Sequence, residues 1–189
     1  MKFSDIFISK DHIQLDKKTL VFLRWLAIFG QYITICIVNF ILKYETQFLY
    51  CSLIIFLGVL TNLLLQYRFK SNQLNNITST FVLTYDLFQL AFLLFLTGGI
   101  KNPFTILLIV PAIVASTFLN FKSTVSLCFV TIFFLIVLTF YSFPLPYHYG
   151  ELHFHIPDIY LFSIPLAIII TLTFLAYFGV RFGAAARKR

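Results

Sequence analysis

An all-α integral membrane protein of six transmembrane helices is the fold expected of this 189-residue chain, on three observations. Hydrophobic residues make up 60% of it and charged residues 11%, which is outside the range of soluble globular domains. The apolar residues run in stretches of about 20, the length at which a helix crosses a ~30 Å hydrocarbon layer. The basic residues fall in alternate connections. Lys2, Lys10, Lys17, Lys18, Arg24, Arg68, Lys70, Lys122, Arg181, Arg187, Lys188 and Arg189 share one side, and only Lys43 and Lys101 take the other. The positive-inside rule then puts both termini in the cytoplasm. The net charge of +7 therefore reflects topology and contact with anionic membrane lipid, and no nucleic acid is expected as a partner.

Residues 1–22 form a polar, basic, cytoplasmic N-terminal segment. Phe3, Ile6 and Phe7 recur in it at helical spacing, as in a short interfacial helix. The six-helix domain spans 23–180. Its first span, 23–42, opens on Leu23-Arg24-Trp25, where Arg24 can snorkel to phosphates and Trp25 can sit at headgroup level. Gln31 and Asn39, eight residues apart, are expected on one face. Span two, 47–66, carries Asn62, and a polar inner loop over 67–79 holds Arg68 and Lys70. Span three, 80–97, places Asp86 and Gln89 one turn apart on a single face.

Between spans three and four lies Thr97-Gly98-Gly99-Ile100-Lys101-Asn102-Pro103-Phe104. Glycine just past a helix end permits the left-handed backbone that caps it. Asn102 is a favoured N-cap, and Pro103 suits the first helical position. The N–H groups of the first turn, around Phe104 and Thr105, are expected to face whatever occupies the turn. With the Phe104 ring beside them, the loop has the parts of a site for a flat, carbonyl-bearing ring.

Span four, 104–120, contains Pro111, which removes a bond to the Leu107 carbonyl and should kink the helix. Span five covers 123–142. The outer loop, 143–157, holds His148, Glu151, His153 and His155. These are of metal-ligand type, but their spacing matches no tight motif, so no metal is assigned. Span six, 158–180, contains Pro165, a second expected kink, and leaves through Arg181 into residues 181–189 as the start of a cytoplasmic helix. Cys36, Cys51 and Cys128 all lie in apolar segments and read as small hydrophobes. No catalytic constellation stands out: HExxH, phosphate-loop and dinucleotide motifs are missing from the sequence.

Asp86 is the most unusual residue physically. A carboxylate within a span costs a few kcal/mol, so it should face the bundle interior and be paired or protonated, with Arg24 the candidate partner. At ~1.5 Å per residue it stands roughly 18 Å from Gly98, out of reach of a ligand held in the loop, so coupling between the two must run along span three.

Gly98-Gly99-Ile100-Lys101-Asn102-Pro103-Phe104 fits the pattern GGxxNPF, and on that heptapeptide the chain resembles the membrane domain of the RegB/PrrB family of redox-responsive sensor histidine kinases. Leu23-Arg24-Trp25-Leu26-Ala27 followed by Gly30-Gln31 is similar to that family's first span. Tyr85-Asp86-Leu87-Phe88-Gln89-Leu90 leading to Leu96-Thr97-Gly98-Gly99 is similar to its third. Pro111 and the Pro144-Leu145-Pro146 turn also fall where members carry them. The resemblance implies a multi-pass sensor of the bacterial inner membrane that binds ubiquinone near the heptapeptide, through Gly98, Gly99, Asn102, Pro103 and Phe104. Arg24, Asp86, Gln89, Pro111 and Pro165 would couple it to the last helix. It also implies a homodimer, and a cognate response regulator reached only through a kinase region. This sequence runs to Arg189 and holds neither the phospho-accepting histidine nor the ATP-binding domain, so alone it is expected to be inactive as a kinase. A rival of another class is the six-span substrate-binding component of a small-molecule transporter, which would copurify with a partner ATPase.

Overall fold

The computed structural model describes residues 16–68, 74–145 and 157–186. Among these residues every regular element is helical: α1 (Lys17–Cys36), α2 (Phe48–Arg68), α3 (Asn76–Leu96), α4 (Val110–Phe118), α5 (Phe121–Phe140) and α6 (Asp158–Ala186). Five of the helices are long and apolar enough to cross a membrane. The outward residues of the bundle are large and apolar, as on Phe81, which is 79% exposed, and water would not tolerate such a surface. The chain is a multi-pass membrane protein.

The helices alternate in direction. At one end, Lys17 Nζ on α1 donates to the Gln66 carbonyl on α2 at 3.2 Å, and Thr80 Oγ1 near the start of α3 bonds Ser123 Oγ near the start of α5 at 2.7 Å. At the other, the Phe143 N–H reaches the Phe95 carbonyl at 2.9 Å, and the two rings meet edge to face. One core joins α3, α4, α5 and α6 around Leu87, Leu108, Leu127 and Leu135 and takes in Leu20 of α1 and Leu65 of α2, and a smaller one joins α1, α2 and α3 around Cys51 and Ile55.

Helix boundaries differ from the sequence reading where local capping decides them. α1 starts at Lys17 rather than 23, because Asp16 in extended conformation accepts from the Lys18 N–H. Its far end closes in a single π turn, Ile37–Ile41, where the Leu42 N–H bonds Ile37 O at 2.9 Å. Gln31 and Asn39 have separate partners: Gln31 bonds Gln89 of α3. Asn39 turns to the connection, where Thr46 Oγ1 donates to its side chain at 3.0 Å.

The fourth apolar segment departs most from expectation. Pro103–Ile109 is a 3₁₀ helix, and the α-helical part begins only at Val110. Pro111 thus sits in the first turn of α4 rather than within a span-long α-helix, so its missing N–H breaks no α-helical bond. The Leu107 carbonyl, expected to be orphaned, accepts from the Val110 N–H in the tighter 3₁₀ pattern. A 3₁₀ helix rises about 2.0 Å per residue against 1.5 Å, so Pro103–Phe118 extends about 27 Å despite its short length. α6 continues as helix through Pro165. Phe3, Ile6, Phe7, Lys70, His148, Glu151, His153, His155 and Arg187–Arg189 lie outside the described residues.

Candidate functional site

The glycine-rich connection is a closed hydrogen-bonded unit. Gly98 (φ 111°) and Gly99 (φ 58°) both take the left-handed backbone that ends α3. Each also fits where a side chain could not. A Cβ on Gly98 would run into Leu145, and one on Gly99 would meet Ser142 Oγ at 2.6 Å and the Leu138 carbonyl at 2.7 Å. The pair therefore packs against the end of α5 and the chain beyond it, and neither glycine lines the cavity described below.

Asn102 caps as expected, but the donors foreseen for a ligand are engaged within the loop. Its Oδ1 accepts from the Phe104 N–H at 2.9 Å, and its carbonyl from the Thr105 N–H at 3.0 Å. Its Nδ2 donates to Thr97 Oγ1 at 2.8 Å and Thr97 O at 3.1 Å. Thr105, 1% exposed, ties the turn from below: its Oγ1 lies 2.8 Å from Gly99 O and 2.6 Å from Asn102 O. The first-turn amides hold the loop's shape: the Asn102 carboxamide takes the Phe104 N–H and the Asn102 backbone carbonyl takes that of Thr105.

A cavity of about 670 Å³ opens between α1, α3 and the segment after the glycines, within the roughly 300–1,000 Å³ usual for small-molecule sites. Asn102, Pro103, Phe104 and Pro111 form one wall. α1 contributes Arg24 and Gln31, and α3 contributes Asp86 and Gln89. Of the residues singled out from the sequence, these eight meet here, while Gly98, Gly99 and Pro165 do not. Phe104 is 44% exposed, so its ring face is available to an occupant. The rest of the wall is mostly leucine, isoleucine, valine and alanine, with Gly30, Thr34, Tyr44, Thr46 and Thr97 among them.

At the end opposite the loop, Arg24 and Asp86 form the expected ion pair. Arg24 Nε and Nη2 both approach Asp86 Oδ1 at 2.8 Å. Nη2 also donates to Thr61 Oγ1 at 2.9 Å, and the guanidinium lies over the Tyr85 ring, 5.8 Å from its centroid. Arg24 is 6% exposed, so its charge is neutralised out of water within this cluster. A ligand confined to the loop cannot touch Asp86, but both line one cavity, so an elongated occupant can approach the two together. Midway, Gln89 Nε2 donates to Gln31 Oε1 at 3.3 Å. Gly58 of α2 packs on the Gln89 amide, where a Cβ would stand 2.5 Å from Nε2.

Sequence reasoning named Gln31 without assigning it a role and missed Gly58 and Thr61 as parts of the site; Thr105, expected there for its amide, ties the turn through its hydroxyl. The signal was present: Arg24 and Gln31 are one heptad apart, Gly58 and Thr61 three residues apart, and Asp86 and Gln89 likewise. Each pair shares a helix face. The cysteines are free thiols, with Cys51 fully buried in the smaller core. No group of metal-ligand residues assembles among the described residues.

The chain is 31% identical over 172 residues to the sensor histidine kinase RegB of Cereibacter sphaeroides. The match takes in 90% of this chain and 37% of that protein's length. No protein-family model and no solved structure matches the chain.

Proposed function

We propose, for a chain that belongs to the RegB-type sensor family, that it is the membrane sensor module of a histidine kinase and that its cavity binds ubiquinone. The observation that carries this reading is the position of the cavity. The Asn102-Pro103-Phe104 turn forms its wall, and its volume and apolar lining suit a substituted benzoquinone ring with the first part of its tail. The cavity lies within the bundle, so a membrane-soluble ligand can enter from the lipid. When bound, the quinone supplies a ring that exists in oxidised and reduced forms, and the protein's part is to distinguish them by differential affinity.

In this reading Pro103–Phe118 is the sixth crossing, both termini are cytoplasmic, and the membrane is the bacterial inner membrane. α4 packs along α6. A change in the cavity that displaces the 3₁₀ segment would therefore be carried by α4 to α6, and through α6 to a cytoplasmic kinase region. Assembly as a homodimer and signalling to a response regulator belong to that larger protein.

The test is equilibrium binding of ubiquinone to the purified chain in lipid nanodiscs, beside Asn102→Ala and Phe104→Ala. Saturable binding that both substitutions weaken is expected. Asn102→Ala acts by releasing the cap that positions Phe104, and Phe104→Ala by removing a contact face. Equal binding by both variants would remove the loop from the site, and no saturable binding by folded wild type would end the quinone reading.

A further inference from the structure

We propose that the Gln31–Gln89 carboxamide pair is the polar anchor of the cavity and that the ligand's ring oxygen bonds there, with the glycine loop lying nearer the tail. This rests on the reading of the cavity as a quinone site and deepens it.

The argument begins with the polar groups on the wall. The loop amides and Asn102 bond one another. The hydroxyls of Thr34, Thr46 and Thr97 donate to Gly30 O, Asn39 Oδ1 and Leu93 O. Arg24 is bound to Asp86 and Thr61. The two glutamines are joined by a single long contact of 3.3 Å, although two carboxamides have four N–H protons between them. Gln89 is only 7% exposed, in a span otherwise rich in leucine and phenylalanine. A buried carboxamide with unmet capacity is costly unless something completes it. The cavity is where that partner would sit, since both side chains line it.

The chemistry also fits a ligand of two redox states. A quinone oxygen only accepts hydrogen bonds, whereas a hydroquinone hydroxyl also donates. A carboxamide pair presents both an N–H and a carbonyl, so it can meet either form without carrying a charge. The depth is consistent. Gln89 precedes Thr97 by eight residues, roughly 12 Å along α3, so a ring at the pair leaves its tail running toward Phe104. Gly58 sets the position of the Gln89 amide from behind.

The probe is a short-tailed ubiquinone titrated into nanodiscs holding wild type, Gln31→Leu, Gln89→Leu or Gly58→Ala. Leucine keeps the volume and removes the amide. A lost buried hydrogen bond weakens affinity by about tenfold, and each leucine variant should show at least that. Gly58→Ala leaves both glutamines in the chain but displaces the Gln89 amide, and it should weaken binding as well. The infrared carbonyl stretch of bound, isotope-labelled quinone gives a readout that altered packing alone would not produce. It should lie at lower frequency in wild type and return toward the free value in Gln89→Leu. Wild-type affinity and an unmoved band in both leucine variants would overturn the anchor while leaving the quinone site intact. Absence of binding by wild type would overturn both.

Discussion

Alanine at Gly99 and alanine at Gly30 should act in opposite directions. Gly99 has φ 58° and no room for a Cβ beside the Leu138 carbonyl, so Gly99→Ala combines backbone strain with a contact that backbone cannot relieve. A loss of about 2 kcal/mol or more is expected. Gly30 lies mid-helix with nothing within 4 Å of an added Cβ, and Gly30→Ala should gain about 0.5–1 kcal/mol. Thermal unfolding in detergent micelles checks both signs. The ion pair gives a second residue-scale prediction. Arg24→Met leaves the Asp86 carboxylate without its partner and should cost about 3 kcal/mol, whereas adding Asp86→Leu should recover most of that. A double-mutant cycle in which the two losses simply add would show that the pair is not coupled.

At the scale of elements, the segment after the glycines is built to be long for its residue count. Pro103 and Pro111 bracket a 3₁₀ run whose bonds reach back three residues rather than four. Pro111→Ala restores an N–H that can reach the Leu107 carbonyl now held by Val110. The α-helix should then propagate toward Phe104, shortening the segment by about 0.5 Å for each residue converted. Hydrogen exchange should show greater protection of the amides at 108–112, and ubiquinone affinity should fall as Phe104 shifts against the cavity. Unchanged exchange would mean that packing on α6, not Pro111, imposes the 3₁₀ form.

For the whole molecule, charge and packing make separate statements. The bundle brings the start of α1 and the end of α2 together, and the positive-inside rule expects the end richer in basic residues to face the cytoplasm. Lys101 and Lys122 are both exposed and lie at opposite ends of the fourth segment. In intact cells a membrane-impermeant thiol reagent should label Lys101→Cys and spare Lys122→Cys. The reverse pattern would invert the topology. A broad outward surface of Phe, Leu and Ile surrounds a cavity with few polar groups, so the molecule depends on lipid outside while keeping its hydrogen-bonding chemistry within.

The amino-acid sequence determined the class, the helical order and the turn chemistry at Gly98, Gly99, Asn102 and Pro103, because those depend on local backbone preference and on segment length. It also indicated the Arg24–Asp86 pair, because two opposite charges in apolar spans have few other means of neutralisation. The cavity was decided only by tertiary packing. One wall is a 3₁₀ run, and the meeting of Gln31 on α1 with Gln89 on α3 needs a glycine on α2 that makes room for the Gln89 amide; neither has a strong one-dimensional signal. The direction of the Asn102 carboxamide, by contrast, is local, since it bonds Thr97 and the Phe104 N–H within its own turn. A capping side chain and a ligand compete for the same amides, and in the folded loop the cap is nearer.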